Sequence, residues 1–257
     1  MRRLEELWGS DLSIQAPSIV LFGHRRMGKT SILQNLGKRF GRDTIVVHFT
    51  MQRVGRVEAT WELLHAAALE IHDTLVDAGI KEIGEPDEDT FTDHPYRAFN
   101  RFLSHVRRAV GERRVILTVD EFEAIEQGIA EGRIEVELLN YLRGVLQGER
   151  WLVLAFAGLH TLEEMAADYW NPLYGSVHPV RVGFLSWQDA ADLLANPSVD
   201  FPLDFTRATV DRVYDWVRGQ PYLTQLIGHS LVTRYNRQVF ESGQPREARF
   251  TVEDVDA

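Results

Sequence analysis

The chain has no cysteine, which removes disulfides, thiolate nucleophiles and zinc-thiolate sites. That absence fits a reducing compartment, and the cytoplasm is the expected location. Long apolar runs are also missing. The longest stretches, such as Trp151 to Leu159, fall far short of the roughly 20 residues a membrane span needs, so no membrane partner is expected. The amino terminus, Met1-Arg2-Arg3-Leu4-Glu5-Glu6-Leu7, mixes acid with base and lacks an apolar centre. It reads as part of a helix and not as a signal peptide. Positive charge is scarce overall: the formal net charge is -10 over 257 residues. An acidic balance argues against general nucleic-acid binding by this segment, although it leaves room for a local basic patch. The nine histidines are scattered, without H-x-x-x-H or H-E-x-x-H spacing, and no G-x-S-x-G elbow occurs.

Against these exclusions stands an ordinary globular composition, 44% hydrophobic and 26% charged. Short apolar runs at Ser18 to Phe22, Thr44 to Phe49, Arg114 to Val119 and Trp151 to Phe156 have strand character. Their near-continuous apolarity predicts a parallel sheet covered on both faces. Between the second and third, Glu58 to Ala78 places Trp61, Leu64, Ala68, Ile71 and Leu75 on one helical stripe, and Pro95 to Val110 repeats the pattern with Phe99, Phe102, Leu103 and Val106. The acid-rich segment Gly79 to His94 is expected to be a solvated loop. Prolines 172, 179, 197 and 202 then punctuate the chain, and from Thr206 the pattern is helical. The expected fold is therefore an α/β core with a parallel sheet flanked by helices, followed by a small all-helical lid. Residues 1–190 are assigned to the core and 191–257 to the lid, with the boundary falling near residues 185 to 205.

The sharpest motif is G-x-x-x-x-G-K-[ST], present as Gly23-His24-Arg25-Arg26-Met27-Gly28-Lys29-Thr30. It follows the first strand directly and opens a helix expected over Lys29 to Phe40, the setting of a phosphate-binding loop. Its chemistry requires these residue types. Gly23 and Gly28 allow a bend tight enough for successive backbone N–H groups to face phosphate oxygens. Lys29 supplies a mobile charge for the β- and γ-phosphates, and the Thr30 hydroxyl is suited to Mg²⁺. Arg26, Met27 and Ser31 complete the candidate nucleotide-binding stretch. Arg25 and Arg26 are read either as solvated surface or as phosphate or partner contacts.

The strand Val115 to Val119 ends in Asp120-Glu121, which has the look of a Walker B strand. Asp120 is the candidate metal residue and Glu121 the candidate base that polarises the attacking water. ATP with Mg²⁺ is thus the expected ligand pair and ADP the product, and no N-K-x-D guanine-reading segment is present.

With these residues in view, the chain resembles the ATPase module of the STAND and archaeal-type ATPase group, within the AAA+ branch of P-loop proteins. His24-Arg25-Arg26-Met27-Gly28-Lys29-Thr30-Ser31 is similar to that group's R-R-x-G-K-T-S loop. Asn171-Pro172-Leu173-Tyr174-Gly175, with Val180-Arg181-Val182 and Leu185-Ser186, resembles its post-sensor segment. Arg218-Gly219-Gln220-Pro221-Tyr222 looks like the G-x-P motif of its helical lid, and the resemblance implies that Pro221 lies near adenine; a plain turn between two helices is the alternative. The pattern departs at the sensor, where the family's small polar residue is replaced by Ala157-Gly158-Leu159 before His160-Thr161. His160 or Thr161 is the candidate sensor, unless His160 merely starts a helix. No arginine finger is singled out, so slow hydrolysis is expected. The two ends suggest a module of a longer protein.

Three functions are compatible with this sequence. The first is an ATP-hydrolysing switch that controls self-association or a partner protein. The second is a non-catalytic ATP/ADP-binding module that stabilises an interaction surface. The third is a DNA-linked AAA+ ATPase, which the acidic balance makes the least expected.

Overall fold

A computed structural model describes residues 2–8, 16–41, 43–158, 173 and 175–257. They form two compact units: Met1–His24 with Lys29–Arg181, and Arg25–Gly28 with Val182–Ala257.

The first unit is built on five strands: β1 (Ser18–Phe22), β2 (Thr44–Thr50), β3 (Arg114–Asp120), β4 (Leu152–Gly158) and β5 (Val177–Arg181). Their order is β2-β3-β4-β1-β5, and every pairing is parallel. Central β3 and β4 are buried along their whole length, as expected of strands covered on both faces. The covering helices include α1 (Arg2–Trp8), α2 (Lys29–Gln34), α3 (Met51–Val54), α4 (Thr60–Asp77), α5 (Glu88–Asp93), α6 (Pro95–Val110), α7 (Glu123–Ala130) and α8 (Glu137–Gly148). The stripes of α4 and α6 drive this assembly. Leu64, Ala68, Ile71 and Leu75 are buried with Phe99, Phe102, Leu103 and Val106 in one core, whereas Trp61 at the end of its stripe is only partly covered.

Two local expectations change. The helix after the phosphate loop ends at Gln34 and gives way to a 3₁₀ turn over Leu36–Lys38. Asn35 shares its N–H between the Ser31 and Ile32 carbonyls, both at 3.2 Å, and its side chain caps the Ser31 carbonyl at 2.8 Å. An amide that competes for backbone acceptors, followed by Gly37, is poor material for another α-turn. The acidic segment expected as loop contains α5, because Asp87 accepts from the Thr90 N–H at 3.0 Å and buried Phe91 anchors the turn. A capping aspartate and acids in the first turn are favourable at a helix start.

The second unit contains α9 (Trp187–Ala195), α10 (Arg207–Val217), α11 (Pro221–Asn236) and α12 (Val252–Asp256), with a two-residue parallel pair, β6 (Asp204–Phe205) and β7 (Arg249–Phe250). Its core gathers Leu194, Phe205, Val210, Val213, Leu231, Tyr235 and Phe250. Ser186, Thr206 and Gln220 cap α9, α10 and α11 respectively by accepting from N–H groups of the first turn. Between α10 and α11 the chain turns through Arg218 and Gly219, both left-handed at φ +50° and +76°, and Pro221 opens α11 at a position where no N–H is required. Trp216, Leu223 and Leu226, apolar positions of the helical pattern, are exposed. No helix among the described residues is long and apolar enough to cross a membrane.

Candidate nucleotide site

The order of strands decides which loops meet. β4 lies between β1 and β3, and all three end on the same edge, so the loop after β1 and the acids after β3 emerge at the carboxyl edge where α/β sheets bind ligands. Thr30, in the first turn of α2, spans the gap. Its hydroxyl donates to Asp120 Oδ2 at 2.6 Å, across 90 residues of sequence.

Around the loop the backbone adopts the conformations that the glycines permit: Gly23 at φ +149° and Gly28 at +88°. A Cβ at Gly28 would meet nothing within 4 Å, so glycine is required there by backbone conformation and not by space. Arg26, at φ +61°, takes the left-handed form without that freedom. Its guanidinium lies over the Tyr222 ring at 4.5 Å, inside the second unit. Met27 is buried, and Ser31 is exposed. Lys29 Nζ donates to the Gly23 and His24 carbonyls at 2.8 and 2.9 Å. These neutral acceptors hold the ammonium beside its own loop, and a phosphate oxygen would be a stronger, charge-assisted acceptor.

Beyond Asp120 the chain bends sharply. Asp120 Oδ1 accepts from the Glu121 N–H at 3.0 Å, and the Phe122 N–H donates to the Ala157 carbonyl at 3.0 Å. Between these bonds Glu121 is held at φ +59°, a conformation that costs a non-glycine residue about 1–2 kcal/mol. Strained backbone of this kind persists where its surroundings over-determine it, as they often do at functional sites. The Glu121 carboxylate in turn accepts a short hydrogen bond from the Gln52 side-chain amide.

Gln52 was not legible from the motifs. It follows β2 in α3, where Thr50 caps the turn by accepting from the Gln52 N–H. Parallel pairing sets Thr50 opposite Asp120, so residues just past each strand end become neighbours. A polar residue shortly after a strand end was the available signal, but its meaning depends on β2 lying beside β3.

The residues present suit a magnesium ion. Thr30 and Asp120 bring hard oxygen donors to one point, and Mg²⁺ typically takes one or two protein oxygens with substrate phosphates and water. No cluster of three or more His, Cys, Asp or Glu suited to a metal occurs among the described residues. The candidate sensors His160 and Thr161 lie outside the described residues. Pro221 is the first residue of α11, in the second unit.

Comparison with known proteins agrees with this geometry. The family model described as AAA domain matches residues 14–166, more than half of the chain. The chain belongs to the AAA domain family. It is therefore an AAA-type P-loop ATPase domain, for which nucleotide binding is the common property. No curated protein matches. Among solved structures, this AAA domain is similar to the Walker-type ATPase PABY2304 of Pyrococcus abyssi, with TM-score 0.63 and 19% identity over 91% of this chain and 66% of that one. It is also similar to the Aeropyrum pernix ORC1 protein solved in complex with DNA (TM-score 0.58, 14% identity, 99% of this chain and 62% of that one). The Aeropyrum pernix ORC2 protein, solved as ADPNP-ADP complexes, gives TM-score 0.63 and 12% identity over 99% of this chain and 64% of that one. At such identities the likeness concerns the fold. The chain spans 62% to 66% of the length of these structures.

Proposed function

We propose that this AAA domain is a Mg²⁺-dependent ATP-binding and slowly ATP-hydrolysing switch module of a larger regulatory protein of the STAND or archaeal ATPase type. The observation that carries the proposal is the Thr30–Asp120 hydrogen bond at 2.6 Å, which joins the phosphate loop to the β3 acids. In this reading the N–H groups from Gly23 to Thr30, with Ser31, receive the phosphates, and Lys29 leaves its loop carbonyls for the β- and γ-oxygens. Thr30 and Asp120 would hold Mg²⁺, which would offset charge on the phosphates. Glu121 accepts the proton of the attacking water, oriented by the Gln52 amide.

Pro221 is the proposed adenine neighbour and His160 or Thr161 the proposed sensor, with residues 1–190 as core and 191–257 as lid. Nucleotide state would act by binding two conformations unequally, since a ligand shifts an equilibrium only by its differential affinity. Self-association or a partner protein is the proposed output, in the cytoplasm.

Glu121→Gln tests the catalytic role. Steady-state turnover is expected to fall by about 100-fold or more, the range of a lost general base, while Mg-ATP affinity by calorimetry persists. Lys29→Ala serves as the binding-deficient control. Unchanged turnover in Glu121→Gln would leave a nucleotide-binding module without this base.

A further inference from the structure

Charge in this acidic chain is unevenly distributed. Residues 94–114 hold six arginines, Arg97, Arg101, Arg107, Arg108, Arg113 and Arg114, against a single acid, Glu112. That stretch carries +5, which leaves -15 for the rest of a chain whose total is -10. Arg114 is buried, donating to the Trp8 carbonyl at 2.8 Å, and Arg113 is half-buried. The other four are exposed on α6, a helix without any acidic residue.

At about 100° per residue, Arg97, Arg101 and Arg108 fall in one line with Ser104, and Arg107 flanks it. With a rise of about 1.5 Å per residue, Arg97 and Arg101 stand about 6 Å apart along the axis and Arg97 and Arg108 about 16 Å. The opposite face is fully engaged, since Phe99, Phe102, Leu103 and Val106 lie in the core. Among the described residues none of the four arginines forms an ion pair. Arg107 and Arg108 instead donate to the backbone carbonyls of Gly111 and Ser104. Asp93 of α5, one turn before Arg97, is exposed and makes no ion pair with it among the described residues.

We infer that the exposed face of α6 binds the phosphodiester backbone of a nucleic-acid duplex, independently of base sequence and apart from the nucleotide site. Four guanidiniums without ion pairs, three in a line about 16 Å long and the fourth beside it, match a row of phosphates, each able to receive two parallel N–H donors. All four are arginine, the side chain whose planar fork suits phosphate, in a chain with only three lysines. The line contains no exposed Phe, Tyr or Trp ring, since Phe99 and Phe102 are buried and Tyr96 is half-buried and donates to Glu135. Stacking on splayed single-stranded bases therefore has no platform there. A lipid surface is disfavoured because the apolar side of α6 is already in the core and cannot insert.

The test is fluorescence anisotropy with a labelled 20-base-pair duplex of arbitrary sequence, from 20 to 100 mM salt. Four phosphate contacts give a log-log slope of about -3.6, so affinity should fall about 300-fold over that range. Arg101→Gln/Arg108→Gln should halve the slope, reducing the fall to about 20-fold. An equal charge change elsewhere, Arg207→Gln/Arg237→Gln, removes exposed arginines that each face an acid four residues on, at 4.0 Å, and should leave the slope unchanged. Circular dichroism establishes that every variant is folded. Absence of binding at 20 mM salt overturns the inference, as does a slope equally altered by both pairs. Displacement by polyglutamate as effective as displacement by unlabelled duplex, at equal charge, would also overturn it and assign the face to an acidic protein.

Discussion

Replacing Gly219 by alanine probes the turn between α10 and α11 through two separable costs. The first is conformational: Gly219 sits at φ +76°, where a Cβ costs about 1–2 kcal/mol. The second is steric. A Cβ there would fall 2.1 Å from the Leu185 carbonyl oxygen and 3.1 Å from its carbon. These are backbone atoms and cannot rotate away as a side-chain tip would. The same two residues are joined by the Leu185 N–H donating to the Gly219 carbonyl at 2.7 Å. Moving Leu185 aside therefore endangers that bond, whose loss is worth about 0.5–1.5 kcal/mol. The total for Gly219→Ala is about 1.5–3.5 kcal/mol. Gly243 supplies the comparison, because it is also left-handed at φ +64° but a Cβ there meets nothing within 4 Å. Gly243→Ala should cost only the first part, about 1–2 kcal/mol. Urea unfolding followed by tryptophan fluorescence measures both, with Trp187 and Trp216 reporting from the same unit. Gly219→Ala is expected to lose about 0.5–1.5 kcal/mol more stability than Gly243→Ala. Equal losses would refute the close approach of Leu185 and Gly219.

Two further perturbations address the first unit. Gln52→Ala should lower kcat about tenfold with KM little changed, because an interaction that only orients the base acts after binding; Gln52→Asn should recover part of the rate, and an unaltered kcat would remove Gln52 from the site. Burial of His48 holds its imidazole below the ordinary value of 6.5, partly countered by Glu70. The neutral ring is favoured in the fold, so its contribution is complete above about pH 6.5 and is lost as pH falls through the folded value. Urea midpoints between pH 7 and 5 should fall less steeply in His48→Gln than in the parent, and parallel slopes would contradict the assignment.

What the sequence revealed depended on how local the cause was. Gly23 to Thr30 was legible because loop conformation, phosphate chemistry and helix start are all written in eight consecutive residues. Buried β3 and β4 were legible for the same reason, since continuous Val, Ile and Leu report cover on both faces. The segment holding α5 misled because its acids suggest solvation, while its structure rests on one capping aspartate and one buried ring, Asp87 and Phe91. Trp216, Leu223 and Leu226 have helical spacing without being buried, and periodicity alone cannot separate a core face from an exposed one.

The Gln52–Glu121 pair marks the limit of such reading. Neither residue identifies the other along the chain, 69 positions apart. Their meeting requires that β2 flank β3 in parallel and in a register placing Thr50 beside Asp120. A shift of one residue would send every β2 side chain to the opposite face, turning Ile45, Val47 and Phe49, which share the face buried in the core, away from it together. The hydrophobic pattern that stabilises β2 thus also fixes where Gln52 emerges. The same register brings Gln52 to Glu121, the left-handed residue that the Asp120 and Ala157 hydrogen bonds hold in place. Core packing and site assembly are in this respect one constraint, and a mutation that loosened β2 would be felt at Glu121 before it was felt at the phosphate loop.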